Sequence, residues 1–177
     1  SAGPFSSGEE AYERYAAAQR EGASIRSEIA RLEKAADELR PWGAFDVTRT
    51  EQRAAQGIVL RYFSTQRNTY DKQLAAWSER YTVSEISRND STVWFVVVTA
   101  PGEEVELDAQ EMKTPRMDIR EAERRMAEEE SKLAALDAEF SRVAASEQLL
   151  SQHAATLKER LQGVRVEATA QKAADGT

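Results

Sequence analysis

From Asp118 to Ala168 apolar or small residues recur at alternating steps of three and four, and this constrains the chain more than any other feature. The series runs Ile119, Ala122, Met126, Leu133, Leu136, Phe140, Val143, Leu150, Ala154, Leu157, Leu161, Val164 and Ala168, broken only at Glu129 and Glu147. A sustained repeat of seven is a helix with one narrow seam, and such a seam is buried by another helix rather than by a globular core. The chain must therefore supply or find a partner helix. Stepping back from Leu39 gives Ala36, Leu32, Ile29, Ile25, Gly22, Ala18, Tyr15 and Ala11, the same seam on a shorter helix. Ile25, Ile29, Leu32 and Leu39 on one side, with Leu133, Leu136 and Phe140 on the other, are the expected seam residues.

Between these helices the sequence changes character. The expected organisation is a terminal remnant at 1–8, an ascending coiled-coil helix at 9–40, an α/β lobe at 41–115, a descending coiled-coil helix at 116–172 and a disordered tail at 173–177. The fold class this predicts is α+β: a long antiparallel helical hairpin carrying a small βαββ-type lobe, with a mostly antiparallel sheet, at its tip. Pro41 should stop the first helix sharply. Gly22 and the seam alanines bury little area, so the N-terminal half of that helix should fray.

Within the lobe, Pro41-Trp42-Gly43-Ala44-Phe45-Asp46 is a turn holding two large aromatics. Thr48 to Glu51 reads as a capping box opening a short helix that Gly57 ends. Residues 58–63 form a strand by their branched and aromatic content, and 66–80 a helix with Tyr70, Leu74 and Trp77 on one face. Residues 81–87 form a second strand, followed by hairpin chemistry at Arg88-Asn89-Asp90-Ser91. Residues 92–99 are apolar on both alternating faces, as a central strand should be, which would bury Trp94 and Val96. Past Pro101-Gly102, Val105 and Leu107 alternate with acids as in an edge strand.

Composition limits function more than it assigns it. Of the 177 residues 31% are charged and the net charge is -7, which argues against nucleic acid or an anionic membrane as partner. No cysteine is present, so disulfides and thiolate metal sites are excluded. No run reaches the roughly 20 apolar residues that span a bilayer. His153, the one histidine, flanks the seam and reads as a solvated side chain rather than a ligand or base. The carboxylate runs Glu103-Glu104 and Glu128 to Glu130 read as solvated faces, and Arg124-Arg125 and Arg31 to Lys34 as flanking charges that pair across the two helices. No glycine-rich strand-to-helix junction offers a phosphate loop. No catalytic, cofactor or metal site is expected. Trp42, Phe45 and Trp77 are the candidate partner-binding residues, against the plainer reading of all three as packing.

The order of four segments carries a family resemblance. LEKAADELRPWGAFD (32–46), GIVLRYF (57–63), YTVSEISRNDSTVWFVVVTA (81–100) and the long heptad helix resemble the cytoplasmic N-terminal half of V-type ATPase subunit I, the counterpart of the eukaryotic vacuolar ATPase subunit a. The resemblance spans residue 9 to about 172 and lacks the family's proximal lobe and membrane half. It implies an excised fragment, the distal lobe with its arms, lying at the cytoplasmic face of the membrane without entering it. It further implies a non-catalytic stator role, in which the lobe docks the peripheral-stalk subunits E and G. The alternative is a coiled-coil adaptor or helical arm of another macromolecular machine. Length mismatch adds one expectation. The shorter helix runs out opposite Glu147, so residues 150–168 are covered by other parts of the parent, pair two copies of the fragment, or fold back after a break near 147–151. Fraying is expected past Gly163.

Overall fold

The structure, a computed structural model, describes residues 8–175, with side chains along the last helix described as far as Val164. Element order is α1 (Gly8–Leu39), a 3-10 turn (Arg40–Trp42), α2 (Val47–Ala55), β1 (Val59–Gln66), α3 (Arg67–Arg80), β2 (Thr82–Arg88), β3 (Thr92–Thr99), β4 (Gln110–Met112) and α4 (Ile119–Asp175). The fold is α+β, with four α-helices and a four-stranded, wholly antiparallel sheet in the order β2-β3-β1-β4. Two compact units divide it, one of residues 26–130 and one of residues up to 25 together with those from 131 onward.

β3 is the central strand its composition predicted, paired with β1 on one side and β2 on the other. Its pleat sends Val93, Phe95 and Val97 to one face and Trp94, Val96 and Val98 to the other. On the first face Phe63, Val93, Phe95 and Val97 pack against Tyr70 and Trp77 of α3. The Trp77 ring lies stacked over Phe95 with centroids 5.5 Å apart. On the second face Tyr62 and Val96 are covered by Trp42, whose ring meets Tyr62 edge-on at 5.1 Å, with Phe45, Leu60, Trp94 and Met112 around them. Val96 is buried as expected, whereas Trp94 lies at the margin of this cluster and is only half-buried.

Four expectations are corrected. The acidic stretch around Val105 and Leu107 is not a strand. Its two apolar side chains pack onto the α3 face of the sheet. Its backbone is held by side chains instead: Glu106 N donates to the Tyr81 hydroxyl, Arg61 donates to Glu103 O and Thr65 to Asp108 O. The ladder resumes only at Gln110, where β4 pairs with residues 62–64 of β1. The cap of α2 is Asp46 rather than Thr48, its carboxylate accepting from Arg49 N at 3.1 Å. Its C-terminus follows the sequence: Gly57 takes φ +86, with Gly57 N bonded to Ala54 O and Ile58 N to Arg53 O, a Schellman closure. Arg124 and Arg125 pair with Glu121, and Arg31 with Glu28, each on its own helix rather than across to the other.

The fourth correction concerns helix ends. α1 is helical from Gly8, so its N-terminal half is formed rather than frayed, and it closes at Leu39 into the 3-10 turn. α4 runs unbroken through 147–151 and Gly163 to Asp175, which removes the fold-back and the fraying past Gly163, and it extends into the stretch expected to be a disordered tail. The terminal remnant expected at 1–8 lies outside the described residues except for Gly8. In the unit of residues 26–130, Ala36 and Leu39 of α1 pack with Ala122 of α4, beside Met117, Ile119 and Met126. In the other unit Tyr15 meets Phe140 edge-on at 5.6 Å and Arg14 pairs with Glu139 at 2.8 Å. Leu32 is 0% exposed, and Ile25, Ala18 and Leu136 are buried, while Ile29, Leu133 and Phe140 are half-buried. Glu129, a break in the seam pattern, is half-buried at its seam position.

Candidate functional site

The three aromatics singled out from the sequence do not converge. Trp42 and Trp77 are each 7% exposed, on opposite faces of the sheet, so both serve the lobe's cores. Phe45 packs at the edge of the Trp42 cluster and is half-buried. It lines an open groove of about 350 Å³ formed with Asp46, Val47, Thr48, Arg116, Met117, Asp118, Arg120, Glu121 and Arg125.

That groove lies where the turn after α1 meets the start of α4, and Asp118 organises it. As the residue preceding Ile119, Asp118 uses Oδ1 to accept from Glu121 N at 3.0 Å, capping α4. Its Oδ2 accepts from Phe45 N at 3.3 Å and from Arg120 Nε at 2.7 Å. Arg120 also donates to Phe45 O at 3.4 Å. One carboxylate thus ties the aromatic turn to the first turn of α4 while satisfying two backbone donors. Burial raises the Asp118 pKa, but the bonds from Glu121 N, Arg120 and Phe45 N outweigh it, so the group sits below the usual carboxylate range. Glu121 is held down to about 2 by hydrogen bonds from Arg124 and then Arg125.

The turn before the groove is shaped by backbone conformation. Gly43 sits at φ +65, ψ −159, a region in which residues other than glycine are strained, and its N–H donates to Arg40 O. Pro41 O accepts from Ser87 Oγ at 2.6 Å, which fixes the turn to β2. The Trp-Gly pair therefore aims one aromatic into the sheet and the next toward the groove.

Chemically the groove is committed to structure. Its carboxylates cap helices or neutralise arginines, and each accepts hydrogen bonds, so none is poised as a general base. Arg120 and Arg125 are paired as well, whereas Arg116 makes no hydrogen bond or ion pair among the described residues. No group of three or more His, Cys, Asp or Glu side chains that could hold a metal occurs among the described residues. No described helix is long and apolar enough to cross a membrane. His153 is exposed on α4. A smaller pocket of about 20 Å³, lined by Arg14, Ala18, Leu136, Glu139, Phe140 and Val143, has room for about one water.

Sequence reasoning missed Asp118 as the hub, naming it only as the start of the heptad stretch. The legible signal was Asp-x-x-Glu at 118–121 ahead of the heptads, a capping box with Asp in the first position. What could not be read was its second partner, Phe45 N, from a distant part of the chain. Compared with protein-family models, curated proteins and solved structures, the chain matches none.

Proposed function

We propose that this chain is a non-catalytic mechanical element, the distal lobe and paired helical arms of a subunit I type stator in a V-type rotary ATPase, whose lobe docks the peripheral stalk made by subunits E and G. The observation that carries the reading is the joint at Asp118. A stator must pass torque from its arms into its docking lobe without a hinge. Here the root of α4, the turn after α1 and the sheet are joined by one buried carboxylate, the Ala36, Leu39 and Ala122 cluster, and the Trp42 contact on the sheet. In this reading α1 and α4 are the two strands of an antiparallel coiled coil, a pairing supported by the contact of Tyr15 with Phe140, the Arg14–Glu139 bridge and the shared heptad. The segments around PWGAFD that resemble subunit I are the ones that build this joint.

The test is binding of the whole chain to a purified E–G stalk heterodimer. The expected result is modest affinity that falls as salt rises, because an acidic chain meeting a charged coiled coil is partly held by screened charge. A folded chain that shows no stalk binding at low salt overturns the proposal. Phe45→Ser and Arg116→Glu at the groove weaken binding if the groove edge is the docking face, with circular dichroism confirming that each variant is folded.

A further inference from the structure

α4 keeps its seam past Phe140, where Tyr15 meets it, and from Leu150 onward the large seam side chains are exposed. Leu150, Leu157, Leu161 and Val164 continue the repeat of Ala122, Leu136 and Phe140, yet they are 44–62% exposed. With Ile119 at position a of the heptad and Ala122 at d, the flanking e and g positions before this region are Glu123, Arg125, Glu130, Lys132, Asp137, Glu139, Ala144 and Ser146, four acids against two bases. Along the bare stretch they are Ser151, His153, Lys158 and Arg160, with no acid among them, and Glu159 stands at f on the far side. All four flanking side chains are exposed, and neither Lys158 nor Arg160 has an ion-pair partner among the described residues. The paired stretch shows how this helix uses such positions, since Glu139 at g is matched by Arg14 at 2.8 Å.

We infer that residues 150–164 of α4 form a docking face for an amphipathic helix with acidic flanks, supplied by something other than a second copy of this chain. The leucine stripe provides the apolar seam, while Lys158 and Arg160 select the partner's charge. A second copy would bring the same Lys158 and Arg160 to the flanks in either orientation, setting cation against cation. A bilayer is also a poor match: the stripe is a narrow seam, and residues 141–164 contain no Trp, Tyr or Phe to anchor at a lipid interface. The inference concerns α4 alone and stands whether or not the lobe docks a stalk.

The experiment uses the whole chain and a labelled four-heptad synthetic helix with leucine at a and d and glutamate at e and g, compared with the same helix carrying lysine at e and g. Fluorescence anisotropy at low salt should show the glutamate probe binding roughly tenfold more tightly than the lysine probe, with the preference shrinking as salt rises. Lys158→Glu with Arg160→Glu should reverse the order. Leu157→Glu with Leu161→Glu should abolish binding of both probes with helicity unchanged, since these side chains are exposed. Equal affinity for the two probes, or binding of neither, overturns the inference. So does sedimentation that shows the parent dimeric and the leucine double variant monomeric, or binding to phosphatidylserine vesicles in place of the peptide.

Discussion

Two stretches of α4 share one heptad and have opposite fates. Around Ala122 and Leu136 the seam is buried, whereas at Leu157 and Leu161 it is 44% and 62% exposed. Local propensity does not separate them, because both are helical and both carry branched apolar residues at the same positions. The difference is what lies alongside, and a heptad names the face a helix will bury without naming what buries it. Stability therefore resides in the first stretch, and the second is left available for recognition.

Substitutions can break that comparison, and the largest effect belongs to the buried seam. Leu32→Ala removes a side chain with no exposed surface and should cost about 2–5 kcal/mol in chemical denaturation. A loss under about 0.5 kcal/mol would mean that the α1 seam is no more than a solvated face.

Next comes the joint. Asp118→Ala deletes a helix cap and leaves Phe45 N without its acceptor, an expected loss of about 1–3 kcal/mol, while Asp118→Asn keeps an acceptor and should recover much of it. If alanine and asparagine behave alike, the carboxylate's role is charge alone. Acid should act on the same place. Asp118 and Glu121 have folded pKa values below their unfolded ones, so the unfolded state binds protons first as pH falls, and the stability they contribute is lost downward from the ordinary carboxylate range of about 4. For Glu121 the loss extends to about pH 2. In urea titrations between pH 5 and pH 2, the Asp118→Asn and Glu121→Gln variants should each lose less stability than the parent, and a slope equal to the parent's in both would refute the assignment.

Arg14→Ala should lower stability only slightly in the same denaturation experiment, and less still at high salt, since the bridge to Glu139 is exposed and screened. The smallest effect is expected at the bare stripe, where Leu161→Ala should change the melting midpoint within the error of surface substitutions, roughly 0.5 kcal/mol. A loss approaching that of Leu32→Ala would show that the stripe is covered in solution after all.

The lobe's elements were largely legible because each carries a local cause. β3 declares itself by continuous branched and aromatic content, and the β2–β3 turn by Asn89, whose Oδ1 accepts from Ser91 N and Thr92 N. Val105 and Leu107 misled because alternation is shared by an edge strand and by an extended segment packed over a core. Only the competition for β1, won by Gln110 to Met112, decides between the two. The partner-binding reading of Trp42 and Trp77 ran into the same boundary, since an aromatic in a turn or on a helix face looks alike in sequence whether it seals a core or meets a partner.

By itself the sequence determined the helices and the strands β1 to β3, where the chain turns, and that one face of each long helix must be buried, because these follow from side-chain shape and period over a few neighbouring residues. Tertiary structure decided which strand pairs with which, that both tryptophans turn inward, and that the carboxylate of Asp118 reaches Phe45 N. Those outcomes depend on groups far apart in the chain arriving at one place, and spacing along a sequence carries no term for that distance.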